Sequence, residues 1–124
     1  MTKIFLVEDE KDTAVLVARF LERKGYEVDV AYSLGEAMEK FSSGHDIVLL
    51  DIMLGDEKCF PLLKKIKEAA PTTGVIMVSG YDDEENIQEA KKLGADGFVT
   101  KPFVSEHLEQ VLLTKIHSLE KKIT

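Results

Sequence analysis

Short, unbroken apolar runs recur along this chain, separated by stretches with helical spacing. Ile4-Phe5-Leu6-Val7, Ile47-Val48-Leu49-Leu50 and Val75-Ile76-Met77-Val78 are continuous, as strands buried on both faces are. Val28-Asp29-Val30-Ala31 and Gly97-Phe98-Val99-Thr100 are mixed and suit edge strands. Between them, Ala14, Val17, Ala18 and Leu21 recur at i, i+3, i+4, i+7, and so do Leu34, Ala37, Met38 and Phe41. Leu62, Ile66, Ala69 and Ala70 make a third stripe. Ile87, Ala90 and Leu93 make a thin fourth, which predicts the least firmly seated helix. Leu108, Val111, Leu112, Ile116, Leu119 and Ile123 make a long fifth.

The punctuation agrees. Gly25, Gly44 and Gly94 each follow a stripe and precede a strand, where a left-handed C-cap belongs. Ser33 with Glu36, and Asp82 with Glu85, have capping-box spacing, and Pro61 suits a first helical turn. The order is βα five times over. Such alternation predicts an α/β fold with a parallel sheet between helical layers. The three wholly apolar strands belong in the middle, and right-handed crossovers favour the order 2-1-3-4-5. This is the flavodoxin-like doubly wound (βα)5 architecture, whose ligands bind at the carboxyl edge beside the switch point between strands one and three.

That edge is rich in polar chemistry. Strand one runs into Glu8-Asp9-Glu10, strand three ends in Asp51, strand four in Ser79-Gly80, and strand five in Thr100-Lys101-Pro102. Glu8, Asp9 and Asp51 would crowd three carboxylates together, a repulsive arrangement unless a cation neutralises them. Few hard oxygen ligands with room for water suit Mg²⁺; the alternative for Glu8 and Asp9 is an acidic cluster favouring the first helix dipole. A carboxylate beside Mg²⁺ can attack a phosphoryl group and carry it as an acyl phosphate. Lys101 and Ser79 supply a cation and a hydroxyl donor for phosphoryl oxygens.

The segments Phe5-Leu6-Val7-Glu8-Asp9-Glu10, Asp46 to Met53, Val78-Ser79-Gly80 and Leu93 to Phe103 resemble the receiver domain of bacterial two-component response regulators. The resemblance covers about residues 3–117. It implies that Asp51 is the phosphoacceptor, charged by a phosphohistidine of a sensor histidine kinase or phosphotransfer protein. It further implies Mg²⁺ held by Asp9, Asp51 and the backbone carbonyl of Met53, with Glu8 acting through water. Ser79 and Lys101 would grip the phosphoryl group, and Phe98 would turn inward when the Ser79 hydroxyl moves. Met53 and Tyr81 occupy the positions that tune acyl-phosphate lifetime; neither is a good base, so slow autodephosphorylation is expected. Self-phosphorylation from small donors would need Mg²⁺, and the domain is not a conventional enzyme. The fourth helix, fifth strand and fifth helix would signal to a downstream effector or a fused output domain. Residues 1–117 form the receiver, and 118–124 extend the last helix as the start of a linker or simply finish it on its own core. A phosphorylation-dependent homodimer is compatible with this scheme, but no residue specifies one.

Two departures stand out. The family usually runs Leu-Pro after the position of Met53, followed by Asp-Gly; here the stretch reads Leu54-Gly55-Asp56-Glu57-Lys58-Cys59. Gly55 for proline should loosen this loop. Phe98 stands where many members carry tyrosine and offers no hydroxyl.

Composition narrows the partners. Sixteen Lys and Arg against 23 Asp and Glu give a net charge of −7, the wrong sign for a phosphate backbone, so no direct nucleic-acid binding is expected. The Lys64, Lys65, Lys67 group reads as the wet face of a helix. The longest apolar run, Ala14 to Ala18, is far too short for a membrane span. With no signal-like start, the expected location is cytoplasmic. Cys59, the lone cysteine, reads as a partly exposed passenger, and His45, His107 and His117 are too scattered for a metal cluster. A haloacid-dehalogenase-type phosphatase needs a second aspartate where Lys11 stands. A flavin or nucleotide binder needs a phosphate cradle where Glu8-Asp9-Glu10 would repel it. A pseudo-receiver that binds partners without phosphorylation is the remaining alternative.

Overall fold

The three apolar runs Ile4 to Val7, Ile47 to Leu50 and Val75 to Val78, and the two mixed ones, form the strands of one parallel sheet. The computed structural model describes residues 2–80, 84–100 and 106–123. In chain order the elements are β1 (Lys3–Val7), α1 (Lys11–Arg23), β2 (Glu27–Ala31), α2 (Leu34–Lys40), β3 (Ile47–Asp51), β4 (Met53–Leu54), β5 (Glu57–Lys58), α3 (Phe60–Ala69), β6 (Gly74–Ser79), α4 (Glu84–Lys92), β7 (Gly97–Thr100) and α5 (Glu106–Ile123). The main sheet is ordered β2-β1-β3-β6-β7, all parallel. This is the expected flavodoxin-like order with its switch point between β1 and β3.

Alternation along the central strands divides the core in two. Phe5, Val7, Val48, Leu50, Val75 and Met77 face α2, α3 and α4 through Ala37, Leu62, Ile66 and Ala90. Ile4, Leu6, Ile47, Leu49, Ile76 and Val78 face α1 and α5 through Val17, Leu21, Leu112 and Ile116. Both faces of each central strand are therefore dry, which is why those runs carry no polar residue. The fourth stripe is thin as expected: only Asn86 and Ala90 of α4 are buried.

Several details differ from the sequence expectation. A two-stranded antiparallel hairpin, β4–β5, sits between β3 and α3. Leu54 pairs with Glu57, leaving Gly55-Asp56 as a two-residue turn. Gly55 has φ +68° and no non-glycine residue described has positive φ, the pattern of a type II′ turn with glycine first. Glycine here builds a tight reversal rather than loosening an irregular loop. Helix α2 stops at Lys40 rather than near Gly44, because Phe41 leaves the helix in an extended conformation. Its ring packs with those of Phe5 and His45. Cys59 is fully buried, not partly exposed, because its backbone N–H donates to Ile52 O at 2.8 Å and draws the start of α3 against the sheet.

The caps follow the local chemistry. Ser33 Oγ accepts the Glu36 N–H at 3.1 Å, while Glu36 Oε1 reaches back to the N–H of Tyr32 rather than of Ser33. Asp82 lies outside the described residues. Helix α5 stays on the body well past residue 117. Leu119 is buried, and Glu120 accepts from Tyr26 Oη at 3.1 Å and from Thr2 Oγ1 at 2.5 Å. Burial, reinforced by Glu120, pushes the Tyr26 phenol up to about 12. The side chains of Leu108 and Ile123 lie outside what is described. Among the described residues, no helix is long and apolar enough to cross a membrane.

Candidate functional site

Strand register brings the acidic residues together. Val7 pairs with Leu50, so the next residue on each strand, Glu8 and Asp51, emerge side by side at the carboxyl edge. The Glu8 N–H still donates to Ala31 O at 3.0 Å, which carries the β1–β2 ladder one residue further and fixes where the chain leaves the sheet. Asp51 in turn pairs with Val78, placing the end of β6 on its other side.

Glu8, Asp9 and Asp51 each offer a carboxylate oxygen within 4.8 Å of the others. It is the one grouping of this kind among the described residues. Burial grades across it: Glu8 is 2% and Asp51 7% exposed, whereas Asp9 is on the surface. Each carboxylate receives a backbone N–H. Glu10 N donates to Glu8 Oε2 at 3.1 Å, Met53 N to Asp51 Oδ1 at 3.3 Å, and Gly55 N to Asp9 Oδ2 at 2.9 Å. The first two are local, two residues along the chain. The third crosses from the hairpin to the end of β1.

The donor set is all carboxylate oxygen, with one member open to water. This fits a hard divalent cation that keeps part of its hydration, and Mg²⁺ above a thiophilic metal. Beneath the rim, the buried Cys59 thiol is pushed up to about 12, first by burial and then by the Asp51 charge. It is therefore a neutral filler and not a ligand.

The other sequence candidates divide. Ser79 closes β6 opposite Thr100 of β7, on the strand beside Asp51; its side chain is not described. Lys101, Pro102 and Tyr81 lie outside the described residues. Met53 is half-buried in β4. Phe98 pairs with Met77, is half-buried against the core that also contains Leu50 and Cys59, and has Lys91 Nζ 5.9 Å from its ring centroid. The sequence reading missed the Gly55–Asp9 bond. A Gly-Asp pair between Leu54 and Glu57 signals the turn, but nothing in the sequence says which acid the turn contacts.

Comparison with known proteins gives a consistent result. Residues 4–113 match the family model of the response regulator receiver domain. The transcriptional regulatory protein DltR of Streptococcus agalactiae is 36% identical over 107 residues, covering 86% of this chain and 48% of that protein. The chain thus spans about half the length of that curated relative. A two-component response regulator from Clostridium difficile superposes with TM-score 0.88 at 29% identity, over 100% of this chain and 99% of that one. The BeF3-activated receiver domain of DrrB from Thermotoga maritima gives 0.83 at 29% identity, over 98% of both.

Proposed function

This chain belongs to the response regulator receiver domain family, and from that premise we propose that Asp51 accepts a phosphoryl group from a phosphohistidine of a sensor histidine kinase or a phosphotransfer protein. The observation that carries the proposal is the convergence of Asp51 with Glu8 and Asp9 at the switch-point edge of the sheet. An Asp51 carboxylate oxygen attacks phosphorus, the P–N bond to the donor imidazole breaks, and its electron pair returns to that ring. The product is an acyl phosphate on Asp51. Burial of Asp51 between two central strands fixes the direction of attack, and the Met53 N–H orients Oδ1.

Glu8, Asp9 and Asp51, with the Met53 carbonyl, would hold Mg²⁺. When bound, it supplies positive charge for the phosphoryl oxygens. Ser79 and Lys101 take the remaining phosphoryl oxygens, by their places at the ends of β6 and just after β7. Phe98, next along β7 before Val99 and Thr100, reports the change by turning inward. Met53 and Tyr81, two residues after Asp51 and Ser79 in sequence, offer no base to hydrolytic water, so the phosphorylated form decays slowly. The α4–β7–α5 face then shifts population towards an active arrangement that engages a partner or a fused output domain, with residues 118–124 leading to it. A homodimer of the phosphorylated form is one such engagement.

Beryllofluoride tests this reading without a cognate kinase. With Mg²⁺ present, backbone amide resonances should move at the rim around Asp51 and onward to Phe98. Spectra unchanged by beryllofluoride and Mg²⁺ would remove the basis for the phosphoacceptor assignment.

A further inference from the structure

Of the three clustered carboxylates, Asp9 alone is on the surface. Glu8 and Asp51 are each buried and each take an N–H from two residues along their own strand exit. Asp9 takes its N–H from Gly55, 46 residues away, at 2.9 Å. That donor is aimed by the hairpin. Leu54 pairs with Glu57, Met53 with Lys58, and Cys59 N closes on Ile52 O, so both ends of the turn are fixed. Gly55 itself lies at φ +68° with nothing within 4 Å of where a Cβ would stand. Sterics leave the space open; the backbone conformation is what requires glycine. Proline, common at this point in the family, could adopt neither the angle nor the donor role.

The geometry points to Gly55 as a positioning residue for Asp9: its N–H holds one oxygen of that carboxylate, so that the side chain is already ordered towards the Glu8 and Asp51 oxygens before a cation arrives. The inference rests on the reading that these three residues hold Mg²⁺. An exposed carboxylate loses rotamer freedom when it becomes a ligand. A charge-assisted N–H bond made beforehand removes part of that loss and also draws off negative charge from a crowded rim. The turn at Gly55 thus contributes directly to metal affinity.

The test replaces the Gly55 amide by an ester, with glycolic acid in place of Gly55. The chain is assembled by ligation at the Lys58–Cys59 junction. This change removes the donor and keeps the angle. D-alanine in place of Gly55, introduced by the same ligation, retains the donor and favours positive φ, and serves as the conservative rescue. Titration with Mg²⁺ alone by calorimetry should show the ester binding about threefold to tenfold more weakly than wild type, with the D-alanine variant near wild type. The Gly55 amide proton should lie downfield in wild type and move upfield in Asp9→Ala. Wild type that binds Mg²⁺ alongside an ester of equal or tighter affinity would overturn the positioning role and leave the metal site standing. Wild type that fails to bind Mg²⁺ would overturn both.

Discussion

The Cys59 thiol is buried within electrostatic reach of the Asp51 carboxylate, and burial together with that charge pushes it up to about 12. At pH 8 only about one thiol in ten thousand is then ionised, so the nucleophilic form is nearly absent as well as enclosed. Native protein should react with a water-soluble disulfide reagent only as fast as it opens, and at once in denaturant. Stoichiometric labelling of the folded protein within seconds would contradict this placement.

A second prediction concerns acid. His45 is buried, stacks on Phe5 at 4.5 Å between centroids, and receives the Ser42 N–H on Nδ1. Nε2 therefore carries the proton and donates to Asp29 Oδ2 at 2.9 Å. That bond holds the Asp29 carboxyl below its ordinary value, with Lys3 at 3.5 Å assisting against a smaller opposing effect of burial. A depressed carboxyl adds stability that is fully present above its unfolded value near about pH 4 and is lost as pH falls through the folded one. Asp29 is 46% exposed, so the contribution stays below about 1 kcal/mol. Asp29→Asn should melt slightly below wild type at neutral pH, the gap narrowing below about pH 4. A gap independent of pH would be inconsistent with this ion's role.

The seating of α5 yields a paired test. A Cβ on Gly74 would stand 3.0 Å from Leu119 Cδ1, whereas one on Gly97 meets nothing nearer than 3.7 Å. Gly74→Ala should cost roughly 1–3 kcal/mol by overpacking and speed amide exchange in the last turns of α5. Gly97→Ala should be close to neutral in denaturant unfolding. Equal effects of the two would show that Leu119 is not held against β6.

These particulars also show what the sequence made legible. The central strands were readable because both faces are dry, leaving runs such as Ile47 to Leu50 without a polar interruption. Register then put Glu8 beside Asp51, so the core of the site followed from where two apolar runs stop. Of the hairpin only the Gly55-Asp56 turn left a signal, because strands of two residues such as Met53–Leu54 carry no period. The end of α2 was misplaced because Phe41 continues the helical stripe in sequence while packing on Phe5 from outside the helix. The Gly55 contact to Asp9 was invisible because it is made by backbone across 46 residues.

The proposed function makes Met53 a position where the lifetime of the acyl phosphate is set. Its thioether cannot orient water, whereas an amide there can donate and accept hydrogen bonds. Met53→Asn should lose its phosphoryl group several-fold faster than wild type, followed by decay of the phosphorylated mass after donor removal. Decay no faster than the parent would show that another residue sets the rate.

The central claim is that Asp51 carries the phosphoryl group, and intact-mass analysis after incubation with acetyl phosphate and Mg²⁺ tests it most directly. One phosphoryl adduct should form, should require Mg²⁺, and should be absent from Asp51→Asn. An adduct that persists in Asp51→Asn or forms equally in the presence of a chelator would contradict the account.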